Sequence, residues 1–241
     1  MHLDLVQLGL EFAGTQREVS AEILSEGRTP AKLLELAGNA VGFASNQIAD
    51  YRRLNRKKAK IACKAGCDHC CYLHVDVAPP EAFLIALYLR ETLPPDALAA
   101  TIDRLRDLLL KVDGMGIFER GGAGLPCALL VDRRCSAYAV RPLACNGWTS
   151  TSVRACESAL TSPDSGAPVD GVVFSIAQGV RDGMQSGLTE AGLSPVSVEL
   201  TRALLVALVV PDAAARWLQG EPVFDTPVSD LTRLSTQEAS S

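Results

Sequence analysis

The feature that most constrains this chain is the twelve-residue stretch CKAGCDHCCYLH, residues 63–74. It holds four of the eight cysteines and two of the three histidines in 241 residues. The spacing Cys63-x3-Cys67-x2-Cys70, with Cys71 directly after it, lets a single loop wrap around a soft cation. Thiolates favour zinc or an iron–sulfur cluster over hard cations. The stretch therefore predicts a metal site built on irregular backbone.

Composition indicates a globular protein in a reducing compartment. Hydrophobic residues make up 48% of the chain and charged residues 21%, which is typical of a soluble domain with a buried core. The N-terminus lacks the basic segment of a secretory signal, and the longest apolar run, 203–210, is too short to span a bilayer. We therefore expect a cytoplasmic protein with no membrane partner. The net charge of −5 argues against a nucleic-acid partner, because domains that bind nucleic acid are usually basic.

A second irregular segment carries the other four cysteines, which are Cys127, Cys135, Cys145 and Cys156. Cytosolic thiols stay reduced, so a dense cysteine pattern indicates metal binding or catalysis rather than a disulfide scaffold. Eight thiols exceed what one tetrahedral ion can use, and the side chains of two adjacent cysteines point in different directions. These features favour a multinuclear cluster or two separate sites. The alternative is that some of the thiols are buried structural residues.

Two enzymatic interpretations of the cysteines are weaker. The spacing Cys-x3-Cys-x2-Cys is also that of radical S-adenosylmethionine enzymes, but those use a barrel of alternating strands and helices, and this chain shows almost no strand pattern. A cysteine nucleophile would need a base such as His69 or His74, and seven other thiols would compete with it. The sequence therefore assigns no catalytic residue.

Apolar residues recur at helical spacing outside the cysteine segments, which predicts an all-α, mostly helical single domain. The helices are expected over residues 30–58, 79–92, 94–112, 170–187, 194–210 and 212–219. A Gly-rich stretch, residues 114–126, is expected to form a mobile loop, and the first dozen residues show no clear pattern. The expected regions are an N-terminal helical region (1–59), a cysteine-cluster metal-binding region (60–160), C-terminal helices on the same core (161–220) and a loose tail (221–241).

The stretch CKAGCDHCCYLHVDVAPPEAFLIA resembles the opening signature of the YkgJ family of cysteine-cluster proteins, which is described as a zinc- or iron-chelating domain. The second segment is similar as well, with Pro-Cys followed by Cys-x2-Tyr-x2-Arg-Pro-x2-Cys. Here these positions are Pro126, Cys127, Cys135, Tyr138, Arg141, Pro142 and Cys145, with Cys156 after them. The resemblance covers residues 60–160. Two departures are a first gap of three residues, where many members have two, and Asn146, where an arginine is common.

The resemblance implies a metal-binding protein in which all eight cysteines are ligands. Related flagellin lysine N-methylases contain a similar cysteine segment and are thought to use an iron–sulfur cluster with S-adenosylmethionine. That relationship favours iron–sulfur over zinc as the cofactor. The leading function is therefore metal binding, with two alternatives: an S-adenosylmethionine-dependent protein lysine N-methyltransferase and a zinc-stabilised interaction module. Both alternatives imply a protein partner or substrate.

Four further side chains are expected around the metal rather than on it. His69 and His74 adjoin the ligands but are expected to lie outside the ligand set, because thiols are already abundant. Arg141 is expected to neutralise thiolate charge, the alternative being a salt bridge within its turn. Tyr138 is expected to pack over the site. The two cysteine segments are expected to meet in space.

Overall fold

Helix packing organises the computed structural model, which describes residues 4–55, 61–64, 66–162 and 166–234. Within these ranges the α-helices are α1 (Leu5–Ser25), α2 (Pro30–Leu54), α3 (Pro79–Thr92), α4 (Pro95–Val112), α5 (Ile117–Gly122), α6 (Leu143–Gly147), α7 (Val153–Thr161), α8 (Gly171–Glu190), α9 (Leu200–Val209), α10 (Ala213–Leu218) and α11 (Val228–Leu231). They confirm the predicted mostly helical, single-domain fold. The predicted end of the second of these helices, at residue 58, lies outside the described residues.

Strands in the described ranges form two short antiparallel pairs. They are β1 (Asp76–Val77) with β4 (Val198–Glu199), and β2 (Leu130–Val131) with β3 (Arg134–Cys135). Single turns of 3-10 helix cover His69–Tyr72, Tyr138–Val140 and Val223–Asp225. The β1–β4 pair ties the chain that follows the first cysteine segment to the start of α9.

Helix α9 lies at the centre of the core, because it is apolar on nearly every face. Leu204, Leu205 and Val206 are fully buried there. Helices α3 and α4 pack against α9, and α3 also packs against α2. A continuous cluster of buried apolar residues runs from Ile23 to Leu231, so the first and last helices share one core.

Helices α1 and α8 pack against each other along their length. Three glycines of α8 at four-residue steps make this approach close. A Cβ at Gly179 would lie 2.3 Å from the Gly9 carbonyl oxygen, and one at Gly183 would lie 2.3 Å from the Ala13 carbonyl oxygen. Helix α8 therefore contacts α1 through backbone and small side chains rather than through large apolar ones.

That interface explains why the sequence pattern does not reveal α1. The buried residues of α1 include Gln16 and Ser20, which are polar and break the apolar stripe. The Gln16 side-chain amide donates to Ser20 Oγ at 3.2 Å and to Asn39 Oδ1 at 3.2 Å, so its N–H groups keep partners when they are buried. An amphipathic pattern is a poor signal for a helix whose partner presents glycines.

Three other expectations differ from the structure. The Gly-rich stretch contains α5, and its Arg120 is buried and donates to the carbonyl oxygens of Tyr72 and Leu125 at 3.1 and 2.7 Å. The fifth predicted helix begins at Leu200, because the Glu199 carboxylate accepts from the first-turn N–H groups and caps it there. Residues 221–234 are not loose, since Leu231 is fully buried; residues 235–241 of the expected tail lie outside the described part of the chain.

In the part of the chain that the structure describes, no helix has both the length and the apolar character needed to cross a bilayer.

Candidate metal centre

The first cysteine segment is held directly against the second. Ala62 N donates to the Ser150 carbonyl oxygen at 2.9 Å, and Ser150 N donates to Cys63 Sγ at 3.3 Å. Ser150 lies just before α7, and α7 carries Cys156 in its first turn. These contacts set Cys63 beside α7, although a long stretch of sequence separates the two cysteines.

The turn of 3-10 helix at His69–Tyr72 carries the two adjacent cysteines. Cys71 N donates to the Asp68 carbonyl oxygen at 2.9 Å, which closes this turn. Successive side chains of a 3-10 helix point about 120° apart, because the helix has three residues per turn. Cys70 and Cys71 therefore face different neighbours, while the Cys71 thiol still donates a hydrogen bond to the Cys70 sulfur.

Cys71 is joined to the second segment through the backbone. Cys127 N donates to the Cys71 carbonyl oxygen at 2.7 Å, which brings together two residues that residues 72–126 separate in sequence. The expectation that the two cysteine segments meet is confirmed.

The β2–β3 hairpin brings two thiols of the second segment together. Its turn residues Asp132 and Arg133 have φ values of 48° and 61°, which close the hairpin tightly. Cys135 then pairs with Leu130, and Leu130 N donates to the Cys127 carbonyl oxygen at 3.0 Å. Cys127 and Cys135 consequently lie on one side of the same small hairpin.

The hairpin turn is also tied back to the first segment. The Arg133 guanidinium donates two hydrogen bonds to the Asp68 carboxylate, at 3.0 and 3.3 Å. Asp68 is buried and lies between Cys67 and Cys70, so this forked ion pair orients the loop that carries them.

Arg141 stands among the thiols and is held in place by two neighbours. Its guanidinium lies 4.5 Å from the centre of the Tyr138 ring, and its Nε donates to Asn146 Oδ1 at 2.6 Å. Asn146 is buried, and its amide donates to Ser45 Oγ at 3.3 Å. Tyr138 is 61% exposed and stacks on Arg141 at the surface, and its expected place over the thiols stays a prediction.

Cys145 is positioned by α6, and the start of α6 is held by Glu81. The carboxylate of Glu81, only 1% exposed, accepts from Leu143 N at 2.8 Å and from Ala78 N at 2.9 Å. It therefore links the first turns of α6 and α3. Burial raises the pKa of Glu81, and the two N–H donors oppose that rise.

The electrostatic environment of the thiols shows which of them are neighbours. Burial raises the pKa of Cys63, and negative charge on Cys67, Cys70 and Cys156 raises it further. The hydrogen bond from Cys71 lowers the pKa of Cys70 to about 7 and raises that of Cys71 itself. The first segment and α7 thus contribute one group of close thiols.

The thiols of the second segment lie close to Cys70 and Cys71 as well as to one another. Burial raises the pKa of Cys127 to about 12, and the charge of Cys135 adds to the rise. Burial also raises the pKa values of Cys135 and Cys145, and in both cases the Arg141 guanidinium opposes it. The positive charge of Arg141 therefore acts on both of these thiols.

Each of the two described histidines beside the cysteines lies next to a carboxylate. His69 Nε2 lies 3.6 Å from Glu157 Oε1 on α7, and His74 Nε2 lies 2.9 Å from Asp76 Oδ1 on β1. The positive charge that His74 can carry lowers the pKa of the buried Glu199, although burial raises it more. The expected place of both histidines outside the ligand set stays a prediction.

Several residues that position the thiols have no sequence signal of their own. They are Asp68, Glu81, Arg133, Asn146 and Ser150, and each makes a hydrogen bond with a residue far away in sequence. The short interval between cysteines singles out the loop around Asp68, but it does not identify the arginine that pairs with it.

The thiols fit a soft metal by chemistry, since all eight cysteines are free and partly buried. Over the ranges that the structure describes, which include every cysteine, no three His, Cys, Asp or Glu side chains meet in the geometry of a metal site. Binding would therefore require the thiols to turn towards a common point from their present rotamers.

Comparison of the chain with protein-family models, with curated proteins and with solved structures finds no match in any of the three.

Proposed function

We propose that this chain is a metal-binding protein of the cysteine-cluster type, similar to the YkgJ family, and that its eight cysteines are the ligands. One observation carries the proposal. Two cysteine segments that are distant in sequence are joined at Cys71 and Cys127 by a 2.7 Å backbone hydrogen bond. Ordering irregular backbone costs about 1–2 kcal/mol per residue, which a bound metal offsets.

The surroundings of the thiols support this proposal. Cysteine thiols must lose their protons to bind a metal, and a nearby cation favours that loss. Arg141 supplies such a charge, and Asn146 and Tyr138 hold it there. When bound, zinc or an iron–sulfur cluster would cross-link the two segments, and a cluster would also supply an electron-transfer centre.

Iron–sulfur is the preferred cofactor, and this preference rests on the resemblance to the lysine methylases. Anaerobic purification followed by iron, zinc and acid-labile sulfide analysis tests it. We expect bound metal in the wild-type protein, with sulfide and visible charge-transfer absorption if iron–sulfur is correct. A colourless zinc-loaded protein would replace iron–sulfur with zinc. A protein that holds neither iron nor zinc after anaerobic purification would overturn the proposal.

The methyltransferase and the zinc-stabilised interaction module stay as alternatives. Saturable binding of S-adenosylmethionine to the metal-loaded protein would favour the methyltransferase. Absence of that binding, measured by calorimetry on the same preparation, would exclude it.

A further inference from the structure

We propose that a cavity of about 550 Å³, bounded by the α1–α2 link and by the chain around the end of α10, binds a short zwitterionic peptide with apolar side chains. Sites for small molecules have volumes of about 300–1,000 Å³. We call this space the α10 cavity. The inference is separate from metal binding, because none of the eight cysteines, all of which lie in the described ranges, lines the cavity.

The buried lining of the α10 cavity is apolar. Trp217 and Phe224 belong to it and are only 6% and 9% exposed. Both rings pack against Phe83, with ring centres 6.3 and 5.8 Å away from its own. Pro79 and Leu193 are the other buried residues of the lining. A lining of this kind favours a ligand with apolar side chains over a fully polar molecule.

Hydrogen bonds hold two walls of the cavity in place. Gln185 Nε2 donates to the Pro195 carbonyl oxygen at 3.0 Å and to Ser197 Oγ at 2.9 Å, which fixes the chain between α8 and β4. The Arg202 guanidinium donates to the Thr226 carbonyl oxygen at 2.9 Å, just after the turn that carries Phe224. The cavity is therefore formed in the free protein, so a ligand has little chain to order when it binds.

Arg28 places a positive charge at one edge of the α10 cavity. A Cβ at Gly192 would lie 3.8 and 3.9 Å from the two terminal nitrogens of Arg28, so the guanidinium lies against the backbone of that glycine. Among the described residues it forms no ion pair with a carboxylate. A guanidinium can donate two parallel hydrogen bonds to one carboxylate. This edge therefore suits the C-terminal carboxylate of a peptide.

Asp225 places a negative charge on the same cavity. It is exposed and ends the 3-10 turn Val223–Asp225. In the part of the chain that the structure describes, it pairs neither with Arg28 nor with another cation. The other carboxylate of the lining, Glu221, already accepts from Arg216 Nε at 2.8 Å. Two opposite charges without partners on one cavity complement the ammonium and carboxylate groups of one zwitterion.

The indole of Trp217 indicates a peptide rather than a single amino acid. Within the described ranges its N–H donates to no protein acceptor, although the residue is almost fully buried and lines the cavity. A buried tryptophan N–H usually has a hydrogen-bond partner. The carbonyl oxygen of a peptide bond would accept from it, while the two ends of the peptide meet Arg28 and Asp225.

Calorimetry on the full-length protein tests the ligand class with the dipeptide phenylalanyl-leucine. The same dipeptide with an acetylated amine and an amidated carboxyl group keeps the apolar body and loses both charges. We expect saturable binding of the free dipeptide, and binding of the blocked one that is weaker by about tenfold or more. Equal binding of both, no binding of either, or binding of dodecanoate in place of the dipeptide would overturn the proposal.

Two charge-removing variants test where the dipeptide binds. Arg28→Gln and Asp225→Asn are each expected to weaken its binding by at least about threefold. Arg52→Gln and Asp107→Asn are the matched controls, because these charges are exposed and lie outside the cavity lining. Both controls should keep the wild-type affinity. Wild-type affinity in Arg28→Gln or in Asp225→Asn would overturn the proposed charge recognition.

Tryptophan fluorescence gives a readout that needs neither charge variant. The chain has two tryptophans, so Trp148→Phe leaves Trp217 as the only one. The dipeptide is expected to change the emission of Trp217, with saturation at the concentration that calorimetry gives. Unchanged emission at saturating dipeptide would show that the peptide binds elsewhere on the molecule and would overturn the assignment of the α10 cavity.

Discussion

Glu81 joins two helix starts through one buried carboxylate. It accepts from the N–H groups of Ala78 and Leu143, and its removal would leave both buried donors without a partner. Each unsatisfied buried donor costs about 1–3 kcal/mol. The cysteine on α6 therefore depends on a residue that is not a ligand.

The ionisation of Glu81 makes stability depend on pH. Burial raises its folded-state pKa above the ordinary value of 4.5. At pH values below 4.5 the carboxyl is protonated in both the folded and the unfolded protein, so its burial carries no cost of burying a charge. Above it, the folded protein holds a proton that the unfolded chain has released, so the free energy of unfolding falls as pH rises towards the folded-state pKa.

Glu81→Gln cannot titrate, so we expect its stability relative to wild type to increase with pH from about 4.5, by about 1.4 kcal/mol per pH unit within that window. Denaturant unfolding of both proteins across this pH range measures the difference. The exposed Glu91→Gln on the same helix is the control and should follow wild type. Parallel profiles for wild type and Glu81→Gln would contradict the buried-charge explanation.

At the scale of elements, the close contact between α1 and α8 depends on glycine. The missing Cβ atoms of Gly179 and Gly183 make room for backbone carbonyl oxygens of α1. A carbonyl oxygen belongs to the helix backbone and cannot rotate aside as a side chain would, so any added atom must push the helices apart.

Gly183→Ala is expected to lower the free energy of unfolding by about 1–3 kcal/mol, the typical cost of overpacking. Its added Cβ would lie 2.3 Å from the Ala13 oxygen. Gly42→Ala in α2 is the matched control, because a Cβ there meets nothing within 4 Å. The control should gain up to about 1 kcal/mol from helix propensity. Equal thermal midpoints for the two variants would show that α1 and α8 do not pack this closely.

At the scale of the whole molecule, the apolar core and the cysteine region have different sources of stability. Helix α9 packs against α3, α4 and α10 mainly through buried apolar side chains. The cysteine region has short elements, and it relies on individual hydrogen bonds such as those between Arg133 and Asp68. A bound metal would add its stabilisation mainly there.

Metal removal by a chelator under reducing conditions is therefore expected to keep most of the helical circular dichroism and to lower the thermal midpoint. Amide hydrogen exchange should accelerate within residues 61–77 and 127–156, and α9 should stay protected. Loss of protection in α9 to the same extent would mean that the metal holds the core. Unchanged exchange in both regions would mean that the metal contributes nothing to folding.

Local pattern alone predicted the helices with apolar stripes, since a repeat of three to four residues needs no knowledge of the partner. It also predicted soft-metal chemistry from the clustered thiols, because ligand type and spacing are written in one loop. The prolines in the first turns of α2 and α3 are also local signals, because they mark where these helices begin.

Only the tertiary structure decided which distant residues meet. The glycine face of α8 makes α1 a core helix, Glu81 fixes α6, and Arg133 binds Asp68. The sequence of CKAGCDHCCYLH determined that thiols are dense, whereas folding determined that Cys63 meets Ser150 and that Cys71 meets Cys127. The reason is physical: helix periodicity arises from neighbouring residues, whereas these pairings depend on contacts that close long loops.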